Sequence, residues 1–429
     1  MKGYGNYMVN IISKTQIGGD NIDRGKLRVN ITNNVNHPIS GATVTISYTD
    51  EPENTVEQTT SDISGQTDSI DLSAPPVELS LDQNNTIRPY SEYNLRVTAP
   101  GYEPSFVSAV EILADTASDA NIVMAPTEVI QEPSSIVIDP HTLYYEYPPK
   151  IAEDEIKPIT ETGEIVLSQV VIPEYVIVHD GAPTDTSAQN YYVLYTDYIK
   201  NVASSEIYAT WPESTIYANV LAIMSFTLNR VYTEWYRGKG YDFTITSSTA
   251  FDQKWIKGRN IFDSISNIVD SVFTNYLARP NVRQPILTQY CDGNRVSCPN
   301  WLSQWGSKAL GEDGYSAIEI IRNYYGDNMF ISSAQQVSGV PSSWPGYNLD
   351  IGASGDKVRQ IQEQLARIAQ VYTAIPTITA DGIYGARTKE AVRAFQKIFS
   401  LPQTGIVDFA TWYKVSQIYV GITRIAELV

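Results

Sequence analysis

The seven tryptophans of this 429-residue chain all lie after residue 170, at positions 211, 235, 255, 301, 305, 344 and 412. Acidic charge has the opposite distribution, because residues 1–170 carry 25 acidic and 9 basic side chains whereas residues 171–429 are almost neutral. A chain of this length exceeds what one core normally holds. The sequence therefore predicts a multidomain protein whose character changes near Val171.

Residues 1–125 show the alternation that is typical of β-strands. The stretches KLRVNITN, ATVTISYTD and YNLRVTAPGY alternate apolar and polar residues, and Gly, Pro, Asn and Asp separate them. The motifs GATVTI and APGYEP resemble those of small transthyretin-like or carboxypeptidase-regulatory sandwiches. We therefore expect an N-terminal all-β sandwich that is a structural module without chemistry of its own.

Residues 126–170 are rich in proline and in acidic residues, and they show no sustained helical or strand period. This composition favours an exposed, semi-extended linker, in which His141 would be a solvated loop histidine. Exposed linkers are also where proteases preferentially cut. We interpret the segment as an acidic, Pro-rich linker that contains an activation site.

Two further segments follow, at 171–348 and 349–429. In the first, DYIKNVASSEIY predicts a helix that begins near residue 196, and a second helix follows the Trp211-Pro212 pair. Glu206 stands out in the first helix because only Lys200 is a nearby base, so charge pairing on a solvated face does not account for it. The last segment alternates Gly- or Asp-rich turns with apolar residues at three- and four-residue spacing, which predicts a small three-helix domain.

The last segment resembles the peptidoglycan-binding type 1 domain. Its motifs, in order, are GxxGxxVxxIQ at 352–362, DGIYG at 381–385, TKEAVRAFQ at 388–396 and GIVDxxTW at 405–412. The resemblance implies attachment to cell-wall peptidoglycan. It also implies a tight turn at Asp381, Gly382, Tyr384 and Gly385, and core positions at Val392 and Phe395.

The central segment resembles the SpoIID/LytB family of peptidoglycan lytic transglycosylases. The first family signature falls on YIKNVASSEIYATWPESTIYANVLAIMSF (198–226), where the family's catalytic glutamate is Glu206. The second falls on SCPNWLSQWGS (297–307), where Ser303, Gln304 and Gly306 are kept. The resemblance implies a central α+β catalytic domain with a single catalytic carboxyl group.

This sequence also departs from the family pattern. Tyr217 stands where the family has Lys, Asn219 where it has Gln, Met224 where it has Arg, and Cys298 where it has His. We expect substrate contacts from the indole faces of Trp301 and Trp305, from hydrogen bonds of Ser303 and Gln304, and from the positions of Tyr217 and Asn219. No metal ion and no other cofactor is expected.

The chemistry needs a glutamate that holds a proton near neutral pH. Burial among Ala, Ile207 and Trp211 would raise the pKa of Glu206, so that it could protonate the leaving oxygen between N-acetylmuramic acid and N-acetylglucosamine. The same carboxylate could then take a proton from the muramyl C6 hydroxyl, which closes to a 1,6-anhydro ring. One carboxyl group suffices for this sequence, whereas hydrolases usually pair two.

Taken over its full length, the arrangement resembles the germination-specific spore cortex-lytic enzymes of clostridia. That resemblance implies a zymogen, a subtilisin-like germination protease that cuts it, and spore cortex peptidoglycan as substrate. We place the cut between Val170 and Val171. The expected location is the cortex or coat region of the bacterial endospore, and the start of the chain lacks the pattern of a classical signal peptide.

Two other functions remain open. A SpoIID-like protein with the departures described above would only bind cortex, and an N-acetylmuramoyl-L-alanine amidase would cut a different bond. A zinc amidase needs His and Glu ligands, and His179 is the one histidine after the linker. The acidic first part argues against nucleic acid as a partner, and no apolar run is long enough to span a membrane.

Two cysteines, Cys291 and Cys298, are too few to hold a chain of this length together. The expected compartment favours reduced thiols. A local disulfide is the alternative.

Overall fold

The computed structural model describes residues 22–127, 134–145, 147–157 and 169–423. Parts of the predicted linker, residues 128–133, 146 and 158–168, lie outside this range. Within it, no helix combines the length and the apolar character that crossing a membrane requires.

The first segment consists mainly of strands in which buried and more exposed residues alternate, as in Ser91–Thr98 and Ala117–Met124. Apolar side chains at every second residue therefore point to one face. The elements are β1 (Asp23–Asn33), β2 (Thr43–Tyr48), β3 (Thr55–Thr60), β4 (Ile70–Ala74), α1 (Glu78–Leu81), β5 (Ser91–Thr98), β6 (Ser105–Ile112), β7 (Ala117–Met124) and β8 (Ser134–Val137).

These strands form two sheets that share one hydrophobic core. One sheet has the order β3-β2-β5-β6-β8, and the other contains β7-β1-β4, with β1 and β7 parallel. Leu27 and Val29 of the second sheet and Ile46 and Leu95 of the first belong to the same buried cluster. Strands β1, β2 and β5 thus overlap KLRVNITN, ATVTISYTD and YNLRVTAPGY, whereas β8 lies in the predicted linker, where the sequence shows no strand period.

The central segment surrounds one long buried helix. Its helices are α2 (Tyr195–Glu206), α3 (Glu213–Tyr232), α4 (Asp263–Val272), α5 (Gln304–Glu312) and α6 (Ala317–Tyr325), with a 3₁₀ turn at Arg237–Lys239. Its short strands are β9 (Val171–Ile172), β10 (Tyr175–His179), β11 (Asn190–Leu194), β12 (Ile245–Thr246), β13 (Ile261–Phe262), β14 (Asn275–Ala278), β15 (Tyr290–Cys291), β16 (Leu302–Ser303), β17 (Phe330–Ser333) and β18 (Gln336–Val337). Helix α3 is buried on nearly all sides, which is typical of a helix at the centre of a domain.

The first and central segments are joined by more than the chain that connects them. Strand β13 extends the first segment's second sheet, because Ile261 and Phe262 pair antiparallel with Asp119 and Ser118 of β7. Beside this strand, the guanidinium of Arg259 forms a buried ion pair with Glu111 of β6, at 2.5 Å. The two segments therefore share a sheet and a desolvated charge pair.

The predicted linker packs against the central segment along most of its described length. Thr142, Leu143, Tyr147 and Lys150 are buried, and His141 is 0% exposed. The expectation of an exposed linker is therefore wrong for these residues, and so is that of a solvated His141. The physical reason is that backbone carbonyl and amide groups of the segment form hydrogen bonds with the central segment. Amino-acid composition does not reveal hydrogen bonds between residues that are far apart in the chain.

The predicted cleavage position is also less exposed than its composition suggests. The side chain of Val170 is buried, and Val171 and Ile172 of β9 pair in parallel with Gln336 and Val337 of β18. A protease that binds its substrate in extended form would first have to open this pairing. The assignment of the cut to Val170 and Val171 stays a prediction.

The C-terminal segment contains three helices where the apolar spacing predicts them, α7 (Asp356–Ile368), α8 (Ala386–Ile398) and α9 (Phe409–Thr423). Val392 and Phe395 are fully buried, as expected. Gln362 and Gln396 have equivalent roles, because their side-chain oxygens accept from the amides of Gly382 and Gly405, at 2.7 and 2.8 Å. Each buried amide side chain thus holds one glycine turn.

The turn at 381–385 is built as the motif suggests. Gly382 has a φ of +79°, a conformation that favours glycine. The carboxylate of Asp381 accepts from Gln362 Nε2 and from the amide of Ile383, both at 2.9 Å. Tyr384 is buried and donates from its hydroxyl to the carbonyl of Gly405. These residues therefore shape the turn.

Gln362→Ala should weaken the C-terminal segment by about 1–3 kcal/mol, because the amide of Gly382 would be left buried without its acceptor. Hydrogen exchange of the amides in α7 and α8 measures this local opening separately from the rest of the chain. Glu363→Ala, on the exposed face of the same helix, is the matched control. Equal exchange in the two variants would contradict the role assigned to Gln362.

Candidate functional site

Glu206 is the last residue of α2, and it is fully buried. The helix is buried over ten of its twelve residues, with Ile199, Val202 and Ala203 in the main core. Ile207 and Trp211 after the helix are buried as well. The apolar residues that surround this carboxyl in sequence therefore also enclose it in space.

The two oxygens of the Glu206 carboxyl group have different surroundings. Oε1 accepts a hydrogen bond from the backbone amide of Lys254, at 2.7 Å. Oε2 is buried and has no hydrogen-bond partner among the described residues, although the hydroxyl of Tyr290 lies beside the group. Burial raises the pKa of Glu206, and the charge of Lys150 together with the Tyr290 hydroxyl and the Lys254 amide offsets part of that effect. A carboxyl group in this state can hold a proton and donate it.

Two residues of the predicted linker reach this carboxyl. The ammonium of Lys150 donates to the carbonyl of Asp252 at 2.5 Å, and it lies 4.5 Å from the centre of the Tyr290 ring. Burial lowers the pKa of Lys150 and raises that of Tyr147, whose hydroxyl faces both Glu206 and Asp292. The sequence does not predict Lys150 or Tyr147 as part of the site, because the local pattern does not distinguish them from residues of a solvent-exposed linker.

The second signature lies beside the first. Strands β15 and β16 pair in parallel, which sets Tyr290 opposite Leu302 and Cys291 opposite Ser303. The aromatic rings make a second connection, because Trp305 packs at 5.0 Å from Trp211 and at 6.1 Å from Tyr208. The structure thus brings together both stretches that carry the resemblance.

The predicted substrate-binding residues of the second signature differ in their exposure and in the hydrogen bonds that they already form within the protein. Ser303 caps α5, since its hydroxyl accepts from the amide of Gly306 at 2.9 Å. Gln304 is fully buried, and neither amide atom of its side chain has a partner within the described ranges. Trp305 is buried and Trp301 is partly exposed. Gln304 is therefore the side chain here with unused hydrogen-bonding capacity.

The two predicted substrate-binding residues on α3 lie deeper. Asn219 is buried, and its amide nitrogen donates to Thr215 O at 2.9 Å and to Ser307 Oγ at 2.8 Å. It thereby joins α3 to α5. Tyr217 is half-buried and packs against the main core. Both residues support the helices that carry the site.

Cys291 and Cys298 form a disulfide, so the preference for reduced thiols was wrong. The bond closes a short loop in which Asp292 accepts from the amides of Asn294, Arg295 and Val296. Closing a loop of this length is worth about 2–3 kcal/mol in the chain-entropy picture. The loop follows Tyr290 directly, and it therefore fixes the strand next to Glu206.

No group of three or more His, Cys, Asp or Glu side chains is arranged as a metal site in the described part of the chain. His179 is stacked on Phe243, and its Nδ1 lies 2.8 Å from Asn190 Oδ1. Its Nε2 lies 3.1 Å from the carbonyl of Asp185. Both ring nitrogens are thus engaged in holding a loop.

Comparison with known proteins identifies the C-terminal module. Residues 354–415 match the family described as putative peptidoglycan binding domain. This finding confirms the prediction for the last segment and makes peptidoglycan a partner of the chain. No curated protein matches the chain.

Solved structures match parts of the chain, with low TM-scores. The crystal structure of the SleB N-terminal domain is 28% identical, covers 18% of this chain and 99% of its own, and has a TM-score of 0.16. The Bacillus anthracis TIE protein is 12% identical over 24% of this chain and 17% of its own, with a TM-score of 0.18. Wild-type catechol 1,2 dioxygenase of Acinetobacter radioresistens is 14% identical over 27% of this chain and 58% of its own, also with a TM-score of 0.18.

Glu206→Gln should stabilise the uncut chain at pH 8 and have less effect near pH 5. Because burial raises the pKa of Glu206 above its ordinary value of 4.5, folding favours the protonated form, and this contribution to stability declines as the pH rises through the folded-state pKa. The difference between variant and parent should grow by up to about 1.4 kcal/mol per pH unit over that window. Melting temperatures at several pH values measure it.

Glu213→Gln is the matched control, because Glu213 is an exposed carboxylate in the first turn of α3. It removes a surface carboxylate and leaves the surroundings of Glu206 unchanged. A pH-independent difference for Glu206→Gln would contradict a raised pKa.

Proposed function

We propose that this protein is the zymogen of a peptidoglycan lytic transglycosylase that degrades spore cortex during germination. The observation that carries the proposal is a carboxyl group, Glu206, that is buried and raised in pKa, in a chain that ends in a peptidoglycan-binding domain. The resemblance of residues 198–226 and 297–307 to the SpoIID/LytB signatures supports the reaction type. The full-length arrangement resembles the germination-specific spore cortex-lytic enzyme SleC.

In the proposed reaction Glu206 acts twice. Its proton passes to the glycosidic oxygen as the bond to C1 of N-acetylmuramic acid breaks, which frees the N-acetylglucosamine hydroxyl. The carboxylate then accepts the proton of the muramyl C6 hydroxyl while that oxygen bonds to C1, and the 1,6-anhydro product forms. The carboxyl group is protonated at the end of the reaction, as it was at the beginning. The reaction therefore consumes no water and requires no second carboxylate.

The other groups have supporting roles in this proposal. The amide of Lys254 holds Oε1 and leaves Oε2 free to carry the transferred proton. Gln304 has the unused donors and acceptor that an acetamido group or a sugar hydroxyl requires. Ser303 supports this position through its cap of α5.

An inactive, cortex-binding protein is the second candidate. The observation that favours it is that Ser303 and Asn219, two of the predicted substrate contacts, already have partners within the protein. Analysis of cortex digests distinguishes the two functions, because anhydro-muramyl ends form only if the protein cleaves glycan.

The chain, once cut between Val170 and Val171, should release fragments with anhydro-muramyl ends from spore cortex, and Glu206→Gln should lower that release by at least a thousandfold. The reason is that both proton transfers of the proposed reaction pass through this one carboxyl group. Mass spectrometry of released muropeptides measures the products. Glu213→Gln is the control and should retain activity, whereas near-normal release by a folded Glu206→Gln variant would refute the assignment.

The uncut chain should be inactive, and a subtilisin-like germination protease should generate a new N-terminus at Val171. The described residues between 139 and 157 cover Glu206 in the full chain, so we expect little access of glycan to this carboxyl group before the cut. N-terminal sequencing, run in parallel with muropeptide release, measures both events. Full activity without a cut would show that the first 170 residues are an accessory region.

A further inference from the structure

The covering segment, residues 139–157 as far as they are described, binds the backbone on both sides of Glu206. The amide and hydroxyl of Thr142 donate to the carbonyl of Ser205, at 3.1 and 3.0 Å. On the other side, Nε2 of His141 lies 3.4 Å from the carbonyl of Ile207. The segment thus crosses the chain at the catalytic position itself.

The same segment covers a row of aromatic rings. The imidazole of His141 stacks on the ring of Tyr208, with centres 4.5 Å apart. Tyr208 is in contact with Trp211 and Trp305, which lie behind it. A flat aromatic face is a surface on which a sugar ring can stack, and here an imidazole occupies the face of Tyr208.

Beneath the segment, several buried polar atoms lack partners among the described residues. Apart from Glu206 Oε2 and the hydroxyl of Tyr290, which lie beside each other, they are the hydroxyl of Tyr147 and both amide atoms of Gln304. Buried polar groups are nearly always satisfied, so a cluster of unsatisfied ones calls for a ligand. A glycan, with hydroxyl and acetamido groups on every ring, has the donors and acceptors that these atoms lack.

Groups on the central segment hold the covering segment by its backbone. The guanidinium of Arg295, in the disulfide loop, donates to the carbonyls of Thr142, Leu143 and Tyr145 at 2.5–3.0 Å. Farther along, the side chain of Gln289 binds the carbonyl of Ile151 and the amide of Glu153, at 2.8 and 2.9 Å. These contacts recognise no particular side chain, and they would be available to another extended polymer.

We infer that the surface under residues 141–151 is the glycan-binding cleft, and that this segment occupies it as an internal competitor of the glycan. The inference rests on the proposed function for the identity of the ligand, and it adds where the glycan lies and what keeps it out. Lys150 places its ammonium beside Glu206, where positive charge would develop on the sugar during bond cleavage. Trp211, Trp305, Gln304 and Arg295 are then the groups that would line the cleft.

A consequence is that a cut near Val171 does not by itself open the cleft. The segment keeps its hydrogen bonds to Ser205, Gln289 and Arg295 after the chain is cut. Its start also remains tied to the central segment, because the ammonium of Lys254 pairs with Asp139 at 2.7 Å and Arg259 donates to the carbonyl of Asp139. Glycan therefore has to displace it.

The test uses the full, uncut chain in a Glu206→Gln background, so that binding is read without cleavage. The probe is a peptide-free octasaccharide of alternating N-acetylglucosamine and N-acetylmuramic acid. Combining His141→Ala, Thr142→Val and Lys150→Ala should strengthen binding at least tenfold. Asp154→Ala is the matched control, since Asp154 is an exposed, charged residue of the same segment, and its affinity should stay within twofold of the parent.

Hydrogen exchange on the parent chain gives a second measurement that needs no change in the segment. Saturating octasaccharide should speed exchange at the amides of Thr142, Ile151 and Glu153, which are bonded to the central segment. Unchanged exchange there, with protection confined to residues 354–415, would overturn the inference even if the triple variant failed to fold. Unchanged affinity of a folded triple variant would also overturn it.

The outcomes also separate this inference from the proposed function. If the octasaccharide displaces the segment and the cut chain nevertheless releases no anhydro-muramyl ends, the cleft is correct and the transglycosylase assignment fails. If such ends are released while the segment stays protected during binding, the reaction is correct and the cleft lies elsewhere.

Discussion

The arrangement around Glu206 depends on one buried guanidinium, that of Arg230 near the end of α3. It donates to Asp252 at 2.7 Å, and to both oxygens of Glu153 at 2.5 and 3.0 Å. Asp252 lies two residues before Lys254, whose amide holds Glu206, and Glu153 lies three residues after Lys150. Removing one partner of such a buried pair typically costs about 3–5 kcal/mol, because the remaining charge is left without compensation. The side chain of Arg230 thus positions both the loop that contains Asp252 and Lys254 and the segment that covers Glu206.

A second buried charge pair joins the first segment to the central one. Arg259 and Glu111 are both almost fully buried, and Asn260 beside them donates to the carbonyl of Glu111 and to Ser118. Burial raises the pKa of Glu111 to about 7, with Arg259 lowering it in part. Arg259 lies on the same loop as Lys254, whose amide donates to Glu206. The first segment is therefore connected to the Glu206 carboxyl group through this loop. This explains why the acidic part of the chain is more than a detachable extension.

Much of the secondary structure can be predicted from residue patterns that span only a few positions of the chain. The strands of the first segment, the three C-terminal helices and the burial of Val392 and Phe395 all follow from apolar residues at a period of two or of 3.6. Glu206 stands out in the sequence because only Lys200 is a nearby base, and its apolar neighbours in sequence also bury it in the structure. In these cases the residues that decide the structure lie within a few positions of one another.

What the pattern could not supply are contacts between residues far apart in the chain. The sequence alone indicated three segments with a linker and one isolated glutamate, and the resemblance of its last motifs indicated a peptidoglycan-binding domain. Only the tertiary structure decided that residues 139–157 are buried, that Cys291 and Cys298 are joined, and that His141 stacks on Tyr208. An acidic, Pro-rich stretch is exposed unless a distant surface offers partners for its backbone, and here Ser205, Gln289 and Arg295 provide them. Such partners are set by the fold and leave no periodic trace in the sequence.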